Sequence, residues 1–140
     1  MVLDARAVRV GDELPPLAKG PITREELKVY AAASGDPNPM HTDDDFARNA
    51  GYPGVFAHGM LSMGYLAEFL VQAGGPASVR KMRARFAKLT WPGDMITCRG
   101  RVTAMRDENG ARVVDCELWT EDQKGERKVV GTATLALRHG

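Results

Sequence analysis

One segment constrains the fold of this chain more than any other. From His58 to about Ala73, the residues Met60, Leu61, Met63, Leu66, Ala67, Leu70 and Val71 place apolar side chains most of the way round a helix. A helix of that kind has to be covered on several sides. The segments that follow can cover it, because they alternate as strands do. Val79 to Leu89 puts Met82, Ala84 and Phe86 on one face and Lys81, Arg83 and Arg85 on the other. Met95 to Met105, Ala111 to Thr120 and Arg127 to Leu137 continue the pattern. The turn Trp91-Pro92-Gly93-Asp94, the hairpin signal Asp107-Glu108-Asn109-Gly110 and the turn Asp122 to Gly125 separate them. Three or four long antiparallel strands wrapped round one helix give an α+β fold. A sheet this small covers the helix on one side only, so the exposed remainder calls for a second subunit.

The residues ahead of that helix read differently. Val8 to Leu14 reads as a short extended lead-in that stops at Pro15-Pro16. Thr23 is a good N-cap for a helix, with Glu26 completing a capping box and Leu27, Tyr30 and Ala31 forming the apolar face. Ser34-Gly35 ends it, because two prolines follow. Thr42 can cap a second short helix over Asp43 to Asn49, whose aspartates complement the helix dipole. Gly51 to Gly54 is a turn-rich loop, and Gly74-Gly75-Pro76 stops the central helix.

Composition narrows the possible functions. The chain has 140 residues, which suits one domain spanning residues 1 to 140. A net charge of +1 gives no basic excess for nucleic acid. The longest apolar run contains Glu68 and is too short for a bilayer, and Met-Val-Leu-Asp-Ala-Arg lacks the apolar run of a secretory signal. Cys98 and Cys116 stand singly in strand segments, outside any metal-spaced pair, and read as reduced structural thiols. A cytoplasmic protein that binds neither membrane nor nucleic acid is expected.

Chemistry concentrates in Ser34-Gly35-Asp36-Pro37-Asn38-Pro39-Met40-His41. A carboxylate and an imidazole lie five positions apart in a stretch too rich in proline for a regular helix. A stiff loop can hold such an acid–base pair at a fixed separation. A second histidine, His58, stands before Gly59-Met60-Leu61 at the start of the central helix. Asp36 has a plain alternative as a turn residue bonded to its own backbone, and His41 as a satisfied loop histidine. Asn38 either braces the loop or touches substrate, and the first is the simpler reading. His58 either caps the helix, hydrogen-bonds the loop or transfers a proton directly. Gly59 is there either for packing or to let a substrate approach the backbone. Asp43, Asp44 and Asp45 point in different directions round a helix, which argues against a metal site.

These residues resemble a known family. The run from Tyr30 through the octapeptide to Ala47 is similar to the signature of the MaoC-like, R-specific enoyl-CoA hydratases. Ala57-His58-Gly59-Met60-Leu61 is similar to the family's second landmark. Val10-Gly11-Asp12 and Trp91-Pro92-Gly93-Asp94 are weaker matches. Ser62-Met63-Gly64 also resembles the B subunit of mycobacterial 3-hydroxyacyl-carrier-protein dehydratases.

The resemblance implies a hot-dog fold, a long helix wrapped by a curved antiparallel sheet. It implies a homodimer, or a heterodimer with another hot-dog subunit. It also implies hydration of trans-2-enoyl thioesters of coenzyme A or a carrier protein to R-3-hydroxyacyl thioesters, or the reverse dehydration. Asp36 and His41 would grip one water, and Gly59 would bind the thioester oxygen, with Asn38 and His58 in support. Neither metal nor redox cofactor is required. The rivals are a thioesterase on the same fold and a non-catalytic or partner-dependent subunit. The cations Lys81, Arg83 and Arg85 are either a solvated strand face or a landing site for coenzyme A phosphates or an acidic carrier. Lys88 joins them only if the strand is bulged. Tyr52, Val55 and Phe56 are expected to shape the acyl pocket.

Overall fold

In the computed structural model, which describes residues 3–138, the elements run β1 (Leu17–Lys19), α1 (Arg24–Ser34), a 3-10 turn (Pro39–His41), α2 (Asp44–Asn49), α3 (Gly59–Gly74), β2 (Val79–Phe86), β3 (Ile96–Glu108), β4 (Ala111–Glu121) and β5 (Arg127–Arg138). The strands form one antiparallel sheet of order β1-β3-β4-β5-β2. The β3–β4 hairpin closes on Asn109 and Gly110, both at positive φ, with Glu108 paired to Ala111. Alternation sends Cys98, Val102, Val114, Cys116, Leu118, Ala133 and Leu135 to the inner face, where they meet Leu66, Phe69 and Leu70 of α3 in one buried cluster. The outer face is polar and ion-paired, as in Arg101–Glu117 at 2.7 Å and Arg106–Asp115 at 3.0 Å.

Several expectations shift. The lead-in before Pro15 is a set of turns rather than a strand, because Asp4 accepts from the Arg6 N–H and Asp12 from the Arg9 N–H. The end of the lead-in lies along β3, where Gly11 and Leu14 donate to Val102 and Gly100, Asp12 accepts from Val102 and Glu13 bridges opposite Arg101, and β1 follows the two prolines. Thr23 caps α1 by accepting from the Glu26 N–H at 3.0 Å. Glu26 does not return the bond; its carboxylate accepts the Tyr65 hydroxyl, which ties α1 to α3. The cap of α2 is Asp43 rather than Thr42, since the Asp43 carboxylate accepts from the N–H groups of Asp45 and Phe46 while Thr42 closes the 3-10 turn.

Helix α3 is buried along Leu61, Ser62, Tyr65, Leu66, Phe69, Leu70 and Ala73. Met60 at 56% and Val71 at 38% stay exposed, which leaves the apolar helix covered on one side, as its sequence suggests. Among the described residues no helix is long and apolar enough to cross a membrane.

Candidate active site

Helix α1 ends on Gly35, whose φ of 72° needs no β-carbon, and its N–H donates to the Ala31 carbonyl. The chain then turns on its own polar side chains. The Asp36 carboxylate accepts from the Asn38 N–H at 3.3 Å, and the Asn38 side chain accepts from the Met40 N–H at 3.0 Å. Asn38 is thus the cap of the 3-10 turn, with Pro39 at its first position. The turn delivers His41 inward, 8% exposed, while Asp36 stays exposed.

The two histidines are oriented by carbonyls. His41 Nδ1 lies 2.7 Å from the Phe56 carbonyl oxygen. A carbonyl only accepts, so Nδ1 carries the proton and Nε2 keeps a free lone pair. His58, the cap residue of α3, makes no side-chain bond to its own helix. It instead places Nε2 3.4 Å from the Asp36 carbonyl, so the loop-bonding alternative is the one seen. Its ring stacks on His41 with centroids 3.8 Å apart and planes at 28°, and Tyr30 meets it edge-on at 4.9 Å. Burial, aided by the His41 charge, lowers the pKa of His58 below the ordinary imidazole value.

One ligating atom each from Asp36, His41 and His58 lies within 4.8 Å of the others. The loop and the start of α3 therefore meet at one point. Side-chain chemistry alone would allow a metal ion there, but stacked rings direct their in-plane lone pairs side by side rather than at a common centre, and a tetrahedral ion needs them to converge. The aspartates Asp43, Asp44 and Asp45 stand apart from the cluster. Asp43 caps α2 and Asp45 pairs with Arg48. Asp44 accepts from the Val55 N–H at 3.0 Å and from Arg24 at 2.5 Å, and these bonds hold its carboxyl below the usual range.

Gly59 opens α3, where the first N–H groups have no intrahelical acceptor and the dipole is positive. A β-carbon there would stand 3.1–3.2 Å from ring atoms of Phe86. Packing therefore accounts for the glycine as well as substrate approach does, and the two readings share one position. Beside it lies a cleft of about 150 Å³ lined by Phe56, His58, Gly59, Ser62, Phe86 and Val129. Of the loop residues expected to shape such a pocket, Phe56 does so. Val55 is in the core and Tyr52 packs on Phe56. Ser62, Phe86 and Val129 were not legible beforehand, because only the helix-to-sheet packing brings them together.

A larger depression of about 580 Å³, among Arg80, Lys81, Arg106 and Arg138 on the outer sheet face, contains none of Asp36, Asn38, His41, His58 and Gly59. Lys81, Arg83 and Arg85 are exposed and form no ion pair within 4.0 Å among the described residues. The strand is bulged after Phe86, where the N–H groups of Ala87 and Lys88 both donate to the Lys128 carbonyl. Lys88 pairs with Glu126 at 3.6 Å. Cys98 and Cys116 are free, buried thiols pushed up to about 12 by burial.

Known proteins share this arrangement of helix and sheet. The (R)-hydratase from A. caviae involved in PHA biosynthesis superposes with a TM-score of 0.83 at 28% identity, over 95% of this chain and 99% of that one. The 3-hydroxyacyl-thioester dehydratase Y of Mycobacterium tuberculosis is 33% identical over 112 residues, 77% of this chain and 37% of that protein. Enoyl-CoA hydratase 2, peroxisomal, of Arabidopsis thaliana is 28% identical over 93 residues, 64% of this chain and 30% of that protein. The chain thus spans about a third of the length of these two curated relatives. The fold is the hot-dog fold. The profile described as "MaoC like domain" matches residues 7–133, and the chain belongs to that family; the three relatives just named are hydratases and a dehydratase.

Proposed function

We propose that the protein adds water to trans-2-enoyl thioesters, forming R-3-hydroxyacyl thioesters, or runs the reaction in reverse. The observation that carries this reading is the pairing of a committed and a free nitrogen on His41. With Nδ1–H given to the Phe56 carbonyl, Nε2 is left to accept a proton, and a ring nitrogen of His41 lies within 4.8 Å of the Asp36 carboxylate. One water between them donates one hydrogen to each.

As its oxygen bonds C3 of the alkene, His41 Nε2 takes the proton and the C2 side becomes an enolate. The charge builds on the thioester oxygen, where the N–H of Gly59 and the helix dipole stabilise it. The His41 imidazolium then returns its proton to C2. Asp36 orients the water and balances the imidazolium, and water is added across the double bond without an external reagent. Imidazole suits the double role because it titrates near neutral pH. The thioester carrier is coenzyme A or a carrier protein, and a second hot-dog subunit, identical or related, covers the exposed Met60–Val71 face of α3.

Loss of the conjugated absorbance of crotonyl-CoA measures the reaction directly. Asp36→Asn and His41→Ala should each lower kcat by about 100- to 10,000-fold with the fold intact. Retention of rate in both variants would refute the assignment, and release of free thiol without hydration would make the protein a thioesterase.

A further inference from the structure

We propose that His58 is a positioning residue, holding Asp36 through the tip of its ring and His41 through its face. The proposal rests on the hydratase reading of the site. His58 is 2% exposed and touches both members of the pair: Nε2–H donates to the Asp36 carbonyl at 3.4 Å, and the ring stacks on His41 at 3.8 Å. Three other roles do not fit this geometry. A helix cap would bond the N–H groups of α3, and His58 makes no such bond. A proton carrier needs a nitrogen open to water, yet Nε2 is given to a carbonyl and Nδ1 is buried. A metal ligand needs a lone pair that converges with that of His41, and face-to-face stacking at 3.8 Å sets the two rings' in-plane lone pairs side by side.

The unpaired Nδ1 is informative. It is the only buried side-chain nitrogen or oxygen among the described residues without a partner. A buried unpaired acceptor is unfavourable. Phenylalanine would fill the space without that cost, and glutamine could donate to Asp36 without it. An imidazole supplies a flat face and a donor at its tip together, in a smaller ring system than tyrosine or tryptophan. The groups facing His58 are the Asp36 carboxylate, the His41 ring and Tyr30 of α1. Burial and the His41 charge both oppose its protonation, so His41 meets a neutral face when it becomes cationic in turnover. A charged ring there would repel it.

Two variants of the full chain separate the contacts. His58→Phe keeps the ring face and loses the donor; His58→Gln keeps a donor and loses the face. Each should fold and keep KM for crotonyl-CoA within about threefold, while kcat falls by about 100-fold, the scale of a 1 Å misplacement. Nitrogen-15 NMR of His41, which needs no turnover, should show the Nδ1–H tautomer alone in the wild type and a mixture in His58→Gln.

A kcat within about threefold of wild type in both variants would overturn the proposal. So would a loss carried by KM, loss of the fold in both, or an unmoved His41 spectrum in His58→Gln. If the wild type hydrated no enoyl thioester, the hydratase reading would fall, and the NMR comparison would still decide whether His58 positions His41.

Discussion

The loop from Ser34 to His41 and the segment from Phe56 to Ser62 each carry one buried histidine, and they treat it in opposite ways. The loop fixes His41 through Nδ1 and leaves Nε2 free; the helix start fixes His58 through Nε2 and leaves Nδ1 without a partner. Each histidine is held by a carbonyl of the other region, His41 by Phe56 and His58 by Asp36. The regions therefore form a crossed clasp, and neither ring is oriented by its own segment. The same side chain becomes a proton acceptor in one place and a support in the other because of which carbonyl it meets. The clasp is anchored further by Ala57, whose N–H donates to the Thr90 carbonyl at 2.8 Å, and by Val55, whose N–H donates to Asp44.

The most damaging test of the helix side, short of removing the acid–base pair, is Gly59→Ala. A β-carbon there meets the Phe86 ring at 3.1–3.2 Å. Phe86 is 51% exposed on an edge strand and can swing away, so stability should change little. Access of the thioester oxygen to the Gly59 N–H should not survive, and kcat should fall by about 100- to 1,000-fold, the effect of losing one oxyanion donor. A variant with wild-type kcat and lowered stability would show that Gly59 serves packing alone.

Next in size is chain-length selection by the cleft beside the clasp. Its volume of about 150 Å³ is that of an apolar cavity able to hold benzene. Beyond it, Leu66, Phe69, Leu70 and Leu135 pack the space between α3 and the sheet, each at most 1% exposed. Enoyl chains up to about six carbons should gain kcat/KM with each added carbon, by up to about 0.8 kcal/mol per buried methylene, and longer chains should gain nothing more. Phe86→Ala should move that plateau to longer chains. A steady rise from four to sixteen carbons in the isolated wild type would place the acyl chain elsewhere.

The loop side was the more legible of the two. Its caps are local, so Thr23, Gly35 and Asn38 could be placed from neighbours two to four residues away. The strands were legible for a similar reason, since alternation and the Asn109–Gly110 turn are properties of adjacent residues. The clasp was not. Nothing in sequence spacing links His41 to Phe56 or Asp36 to His58, because the Thr90 and Asp44 contacts that set their approach are tertiary. Asp43 rather than Thr42 caps α2 because its carboxylate is the stronger acceptor, and Glu26 leaves the capping box because Tyr65 reaches its carboxylate from another helix.

Local legibility can itself be tested at Asn38. Asn38→Ala removes the acceptor for the Met40 N–H and should cost about 1 kcal/mol of stability. Because the turn also aims His41, kcat should fall by about tenfold, and Asn38→Asp, which keeps the acceptor oxygen, should recover most of both. Recovery of stability without activity would mean that the amide nitrogen of Asn38 touches substrate.

The smallest effect separates the two histidines by pH. The folded-state pKa of His58 lies below its ordinary value of 6.5, chiefly through burial. Between those two values the unfolded chain binds more protons at this position than the folded one, so stability rises with pH across that window. The contribution is complete above the unfolded value and is lost as pH falls toward the folded value. His58→Gln cannot titrate at this position, so the unfolding free energy of the wild type should fall relative to that of the variant on acidification through that range and then level off. Denaturant unfolding at a series of pH values from 7 down to 5 measures it. A constant difference would mean that His58 is no harder to protonate when folded than when unfolded. The neutral face it is proposed to offer His41 would then depend on stacking alone rather than on burial.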